Sequence, residues 1–403
     1  MPSAGTHMRC MLANGQLIAR HILAILTDSR YQRLLLAVVL VVLLFAGLQP
    51  FNFVPGNQVT WLQGRRGVEF HGYGQVQGVW NRDLLQRAAE NGGGVTIELS
   101  VRCSQERLRT DNLLTVFSGL NREPFSVTQY GSLVMVSGIA DGRGKKAFLG
   151  ASDALHSGIP GLITITSGPQ GIVIYVDGVA RQRGAGTSLA PDNFEGTLLL
   201  GQSPRGGQEW HGDIYGLAVY PKALRADEVA ANYDAWKRED WARLQQLAPA
   251  ALYRFDEGSG TVVHNRAGLE GDLTIPQKFR PLNPVILKSP SKRDFTDLSD
   301  VTINIVGFVP LGVLLVFYLA KRGCSIINAI AAAIMAGFTI SLLIEILQVL
   351  LPSRDSSLLD LINNTVGTAV GAWIGAYFCA QTVLGSQPML KRQVSSRPAG
   401  GET

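Results

Sequence analysis

Residues 300–371 read DVTINIVGFVPLGVLLVFYLAKRGCSIINAIAAAIMAGFTISLLIEILQVLLPSRDSSLLDLINNTVGTAVG, and the fold turns on where polar side chains fall in this stretch. Three apolar runs lie in it or extend from it: Val301–Ala320, Ile326–Leu351 and Leu358–Leu384. Each is long enough for the ~20 residues that a bilayer-spanning helix needs. Set into them are Asn304, Ser341, Glu345, Gln348, Asp360, Asn363 and Asn364, with Arg354 in the connection. Ionisable groups at membrane depth cost about 3 kcal/mol or more, so they turn toward the bundle interior and mark a functional site. Ser341, Glu345 and Gln348 follow at intervals of four and three, which is one helix face. Asp360, Asn364 and Gly367 repeat that spacing on the next segment. Gly367, Gly371 and Gly375 form a ladder of small residues that lets helix backbones approach closely in lipid. Asn304, Gly307 and Leu311 share a face of the preceding helix, where Pro310 bends the chain or frees a carbonyl. Three polar faces in lipid are expected to turn toward one another.

These motifs, in order, resemble the VanZ-like family of small membrane proteins, named for a teicoplanin-resistance protein. The matching residues are D-x-x-x-N-x-x-G-F-x-P-L-G from Asp300 to Gly312, S-x-x-x-E-x-x-Q from Ser341 to Gln348, Arg354, and D-x-x-x-N-T-x-G-x-x-x-G from Asp360 to Gly371. An earlier apolar segment, ending in Gln49-Pro50-Phe51-Asn52-Phe53, is similar to the family's first helix. The resemblance implies a bundle of four transmembrane helices in the cell envelope and an association with glycopeptide antibiotic resistance. It names no chemistry. An insert of about 245 residues between helices one and two departs from the plain family.

The chain of 403 residues has room for two domains. Its formal charge is +5, but the basic residues gather beside the apolar segments. Arg9, Arg20, Arg30 and Arg33 precede the first, Lys321 and Arg322 follow the second, and Lys391, Arg392 and Arg397 follow the last. That is a membrane-topology signal and not a nucleic-acid one. By the positive-inside rule these segments are cytoplasmic, and Pro352–Ser357 and the insert are external. The expected organisation is therefore a basic cytoplasmic segment at 1–33, a transmembrane helix at 34–54, a β-domain at 56–278, a proline-bearing linker at 279–299, helices two to four at 300–384 and a cytoplasmic tail at 385–403. His7–Ile25 reads either as an amphipathic surface helix or as a basic leader without structure. Leu34–Leu48 also has the outline of a signal peptide, but Phe45-Ala46-Gly47 is a poor cleavage site. Of the four cysteines only Cys103 falls in the insert, which excludes a disulfide within it.

From Val59 to about Pro276 the texture changes to short apolar runs between Gly, Asp, Asn and Ser clusters. Val95–Val101, Leu113–Phe117, Leu133–Ser137, Leu162–Thr166, Ile172–Val176, Thr197–Leu200 and Ile214–Val219 read as antiparallel strands of an all-β sandwich. Asp177-Gly178 supplies the positive φ of a hairpin after Ile172–Val176. I-Y-V-D-G-V from Ile174, L-L-G at Leu199–Gly201 and W-H-G-D-I-Y-G-L-A-V-Y at Trp210–Tyr220 resemble a laminin-G/concanavalin A-like jelly roll. Phe255–Thr261 resembles the segment that opens such domains, but here it follows the terminal helix, which suggests a circular permutation. Ala223–Leu247 reads as an amphipathic helix carrying Trp236 and Trp241, either packed on the sandwich or lying at the membrane surface.

Soluble catalytic signatures are missing: H-E-x-x-H, G-x-S-x-G, paired C-x-x-C and the phosphate-binding G-x-x-x-x-G-K-[ST] do not occur. Gly142–Lys146 is a basic loop, and Asp256 and Glu257 are adjacent, so on a strand they point to opposite faces. Trp61, Trp80 and Trp210 offer sugar-stacking surfaces or core packing, and Asp177 and Asp213 offer calcium ligands or turn chemistry. Turn chemistry is the preferred reading, so no cofactor and no metal site is expected. The expected ligand site is the outer-leaflet cluster of Asn304, Glu345, Gln348, Arg354, Asp360 and Asn364, with a Glu345–Arg354 ion pair as its structural alternative. Arg354 suits an anion and the amides suit hydroxyls. The expected partners are membrane lipid and a lipid-linked or surface glycan, bound by an envelope protein with a lectin-like arm. A second reading is a membrane enzyme on a lipid-linked glycan or polyprenyl-phosphate intermediate, with Glu345 or Asp360 as base and Arg354 as charge stabiliser.

Overall fold

The computed structural model describes residues 29–80, 94–119, 123–141, 146–189, 191–268, 271–290, 298–351 and 354–385. The segment 1–28 with Cys10, the basic loop at 142–145, the 291–297 part of the linker and the tail beyond 385 lie outside the described residues. The chain divides into two compact units: 1–51 with 286–348 and 356–403, and 52–285 with 349–355.

The second unit is a sandwich of two antiparallel sheets. One sheet runs β1 (Val59–Trp61), β2 (Val68–His71), β14 (His211–Tyr220), β4 (Val95–Cys103), β9 (Pro160–Gly168), β10 (Gly171–Val176) and β11 (Val179–Gly184), with β15 (Ala251–Tyr253) on β14. The other runs β12 (Thr187–Ser188), β7 (Leu133–Asp141), β6 (Phe125–Tyr130), β5 (Thr110–Phe117), β13 (Gly196–Leu200), β3 (Val76–Trp80), β17 (Leu273–Thr274) and β16 (Val262–Val263), with β8 (Lys146–Ala151) on β7. Every strand read from the sequence is present. The Asp177-Gly178 turn has φ of 51° and 79°, so both central residues are left-handed and Val176 pairs Val179. Between the sheets lies one core, to which Val68, Ile97, Leu99, Val101, Leu114, Val127, Ile165, Ile174 and Leu217 contribute. Trp80 and Trp210 are buried in it, which makes them core residues and not sugar platforms.

The outer face of the first sheet carries a second apolar layer. Helices α2 (Ala226–Arg238) and α3 (Trp241–Gln246) cover it, with Leu162, Tyr175, Ala218, Tyr220, Val229, Trp236 and Leu244 buried between. The expected single helix over 223–247 is thus two. Glu239 turns left-handed at φ 55° as the C-cap of α2, and Asp240 caps α3 by accepting the Arg243 N–H at 3.1 Å.

The first unit is helical: α1 (Ser29–Leu48), α4 (Leu298–Lys321), α5 (Ile326–Gln348) and α6 (Leu358–Gly385). Three of them, at Arg30–Leu48, Leu298–Lys321 and Ile326–Gln348, are long and apolar enough to cross a membrane. Helix α6, with 28 residues and Asp360, Asn363, Asn364 and Gln381 within it, is not one of those three. Its glycines perform as the spacing predicts: a Cβ on Gly367 would strike the Ile305 carbonyl of α4, and one on Gly371 the Val309 carbonyl. Gly312 of α4 meets the Thr368 carbonyl in the same way. The outward faces carry exposed apolar side chains such as Val38, Val41, Ile303, Val306, Trp373 and Tyr377, a surface suited to lipid.

Candidate functional site

The spacing of polar residues on α5 places Ser341, Glu345 and Gln348 on its buried face. On α6, Asn363, Asn364 and Thr368 are buried, and Asp360 and Asn304 of α4 are half-buried. Asn364 Nδ2 donates to Ser341 Oγ at 2.9 Å, joining α6 to α5. Gln348 Nε2 donates to the Gly47 carbonyl at 2.8 Å, joining α5 to α1. Thr368 Oγ1 turns back on its own helix and donates to the Asn364 carbonyl at 2.9 Å.

Glu345 is 1% exposed, and its role is set by the turn that starts α6. Its Oε2 accepts the Ser357 N–H at 2.7 Å, and the Ser356 side chain also hydrogen-bonds to it. Ser357 Oγ accepts the Asp360 N–H at 3.2 Å, so Ser357 caps α6 and Asp360 sits in the first turn, where negative charge is favourable. The same turn is held from a second side. Lys288 N donates to the Ser356 carbonyl at 2.8 Å, Leu358 N donates to the Lys288 carbonyl at 3.1 Å, and Leu287 N donates to Ser356 Oγ at 3.1 Å. Arg354 is exposed and belongs to the segment 349–355, which groups with the sandwich, whereas the other five predicted residues belong to the helical unit.

Among the described residues, three buried amide atoms in this seam have no hydrogen-bond partner: Gln348 Oε1, Asn363 Nδ2 and Asn364 Oδ1. Leaving such an atom unpaired costs about 1–3 kcal/mol. Two acceptors and one donor complement a hydroxyl-bearing ligand. They are strung out rather than gathered, since the seven steps from Ser341, which Asn364 meets, to Gln348 rise about 10 Å along a helix.

Sequence reasoning missed a polar centre in the sandwich. Glu98 of β4 is completely buried on the outer face of the first sheet under α2. It accepts from Trp236 Nε1 at 2.7 Å, Asn232 Nδ2 at 3.0 Å and Tyr220 OH at 3.3 Å. Burial pushes its carboxyl up to about 7, against the opposing effect of those three donors. Alternation along β4 does put Glu98, Ser100 and Arg102 on one face, but only the covering helix makes that face an interior. Asp213 on the same face is held by Arg102 at 2.6 Å and Arg65 at 3.5 Å, and accepts from Tyr215 OH at 2.7 Å. All of these contacts fall on Asp213 Oδ2. Asp177 accepts the Leu162 N–H at 2.8 Å, which is turn chemistry.

Known proteins resemble this chain in two parts. Residues 262–379 match the VanZ/LLP1 family model. The VanZ-like match covers α4, α5 and most of α6, and it begins upstream at β16 in the sandwich. Residues 93–230 match the concanavalin A-like lectin/glucanases superfamily, from just before β4 into α2. No curated protein matches the chain. Among solved structures, the sandwich is similar to the CBM40 of the Ruminococcus gnavus IT-sialidase bound to alpha2,3 sialyllactose, at 17% identity over 42% of this chain and 97% of that one, with a TM-score of 0.34. It is also similar to the binding domain of Botulinum neurotoxin DC in complex with SialylT, at 13% identity over 45% and 46% of the two chains, with a TM-score of 0.35. The chain thus combines a segment that matches the VanZ/LLP1 family model with one that matches the concanavalin A-like lectin/glucanases superfamily.

Proposed function

We propose that the chain is an integral protein of the bacterial cytoplasmic membrane in which α1, α4, α5 and α6 all span, with both termini cytoplasmic and the sandwich outside. Its VanZ-like helices bind the head group of a lipid-linked or surface glycan, and the sandwich serves as the recognition arm. The observation that carries this reading is the set of unpaired buried amide atoms on Gln348, Asn363 and Asn364. A purely structural bundle gains nothing from such atoms, because apolar groups of similar shape would remove the penalty. A hydroxylated head group would satisfy them.

The test uses the full chain in lipid nanodiscs, incubated with lipid-linked glycan extracts and analysed by mass spectrometry. Saturable retention of a glycolipid without product is expected. Gln348→Leu and Asn363→Leu are each expected to weaken retention about tenfold, equivalent to ~1.4 kcal/mol; melting temperature should hold or rise in Asn363→Leu, whereas Gln348→Leu also loses its bond to the Gly47 carbonyl. Equal retention by both variants would end the proposal. Substrate consumption that Glu345→Gln abolishes would instead favour the enzyme built on Glu345, Asp360 and Arg354.

A further inference from the structure

Helix α2 does more than cover the first sheet. Between its outward turn and strands β4, β9 and β14 lies a cavity of about 280 Å³, whose aromatic surfaces are Tyr215, Tyr233 and Trp236. That volume is near the lower end of the ~300–1,000 Å³ typical of small-ligand sites. Three polar side chains share the lining: Ser100, Asp177 and Lys237. Arg66 also borders the cavity, but it is already occupied. It donates to Glu239 Oε1 at 2.9 Å, to the Tyr215 carbonyl at 2.9 Å and to the Trp236 carbonyl at 3.4 Å, and lies over the Trp236 and Trp241 rings. Arg66 thus braces the aromatic wall. Trp236 is braced from behind as well, through its N–H bond to Glu98.

We infer that this cavity binds one neutral pyranose ring of a glycan. The aromatic faces fit the apolar C–H face of such a ring, since aromatic side chains give large, rigid contact area. The polar groups fit its edge. Asp177 is held by the Leu162 N–H through one carboxylate oxygen, which leaves the other to accept from ring hydroxyls. The Lys237 ammonium sits 5.2 Å from the Tyr233 ring centre and can donate to ring oxygens. Asp177 and Lys237 bring opposite charges to the lining, and the Arg66 guanidinium is engaged by Glu239, so net charge favours neither an acidic nor a basic ligand. An all-apolar ligand would bury Asp177 and Lys237 without partners, which is costly.

The inference rests on the reading of the sandwich as a recognition arm, and it gives that arm a definite address. Saturation-transfer NMR on the full chain in detergent would use methyl glycosides of glucose, galactose, mannose, N-acetylglucosamine and glucuronate. At least one neutral glycoside is expected to receive saturation, and Lys237→Ala, at unchanged melting temperature, and Tyr233→Ala should each cut that signal at least fivefold. Asp177→Asn, which keeps the turn and an acceptor oxygen, should cut it less than Lys237→Ala does. Undiminished signal in both alanine variants would overturn the site while leaving the recognition-arm reading intact. Signal from glucuronate alone would overturn the neutral ring. No signal from any glycoside, together with unaltered glycolipid retention by the nanodisc protein, would remove the arm and the site but not the helical binding site.

Discussion

The indole N–H of Trp236 donates to Glu98 Oε2 at 2.7 Å, joining the covering helix of the sandwich to the strand beneath it through a completely buried carboxyl. Burial raises this carboxyl to about 7, so the folded chain holds its proton more tightly than the unfolded chain does. Stability from this group is complete below the ordinary carboxylate range and is lost as pH rises through about 7. The melting temperature of the sandwich transition should therefore fall between pH 5 and pH 8. Glu98→Gln should flatten that slope and raise stability at pH 8 by up to about 3 kcal/mol, since each tenfold difference in proton affinity is worth ~1.4 kcal/mol. Tryptophan fluorescence melts across pH check it, and an unchanged slope in the variant would refute the assignment.

The glycine ladder of α6 makes a sharper contrast. Gly367→Val and Gly371→Val drive side-chain atoms into the Ile305 and Val309 carbonyls, backbone that cannot step aside. Each should destabilise the helical unit by about 1–3 kcal/mol or more. Gly307→Ala is the control, because nothing lies within 4 Å of its added Cβ. Detergent melts of the three variants should separate the ladder from the control.

Glu345 should behave as an anchor for the start of α6. Glu345→Gln retains an oxygen to accept the Ser357 N–H, and its melting temperature should stay within a few degrees of wild type. Glu345→Leu strands that N–H and the Ser356 side chain, costing about 1–3 kcal/mol. Equal melting of the two variants would mean that the bond from Ser357 contributes nothing.

Much of this organisation is readable from residue order alone, and the exceptions share one physical cause. Strand alternation and the Asp177-Gly178 turn are local, and so is the helical spacing of Ser341, Glu345 and Gln348; each is visible without knowing its neighbours. Glu98 is not local. A glutamate on an alternating strand reads as solvent-facing, and becomes buried only because Trp236 and Asn232, far along the chain, close over it. Ser357 likewise looks like loop filler until Glu345 and Asp360 are seen to meet it. The cavity at Tyr215, Tyr233 and Trp236 is assembled from β4, β9, β14 and α2, so no motif announces it. Helix α6 shows the reverse problem: its polar residues are the signal for a site and also what lowers its hydropathy.

Topology rests on the distribution of Lys and Arg and can be checked with two thiols. Gln170 lies exposed in the turn between β9 and β10, and Cys324 is exposed just after α4. In an otherwise cysteine-free chain, Gln170→Cys should react with an impermeant maleimide on intact cells. A chain whose one thiol is Cys324 should react only after permeabilisation. The opposite pattern would invert the protein.

The short parallel contact between Lys288 and Ser357 has a consequence for where this protein can be cut. Helix α4 begins at Leu298, which invites dissection there. Such a fragment would discard Leu287 and Lys288, and with them two donors to Ser356 and the carbonyl that accepts from Leu358. The helical unit therefore owns a piece of chain ahead of its own helix, and its natural seam lies at Ile286, where the unit resumes after the sandwich.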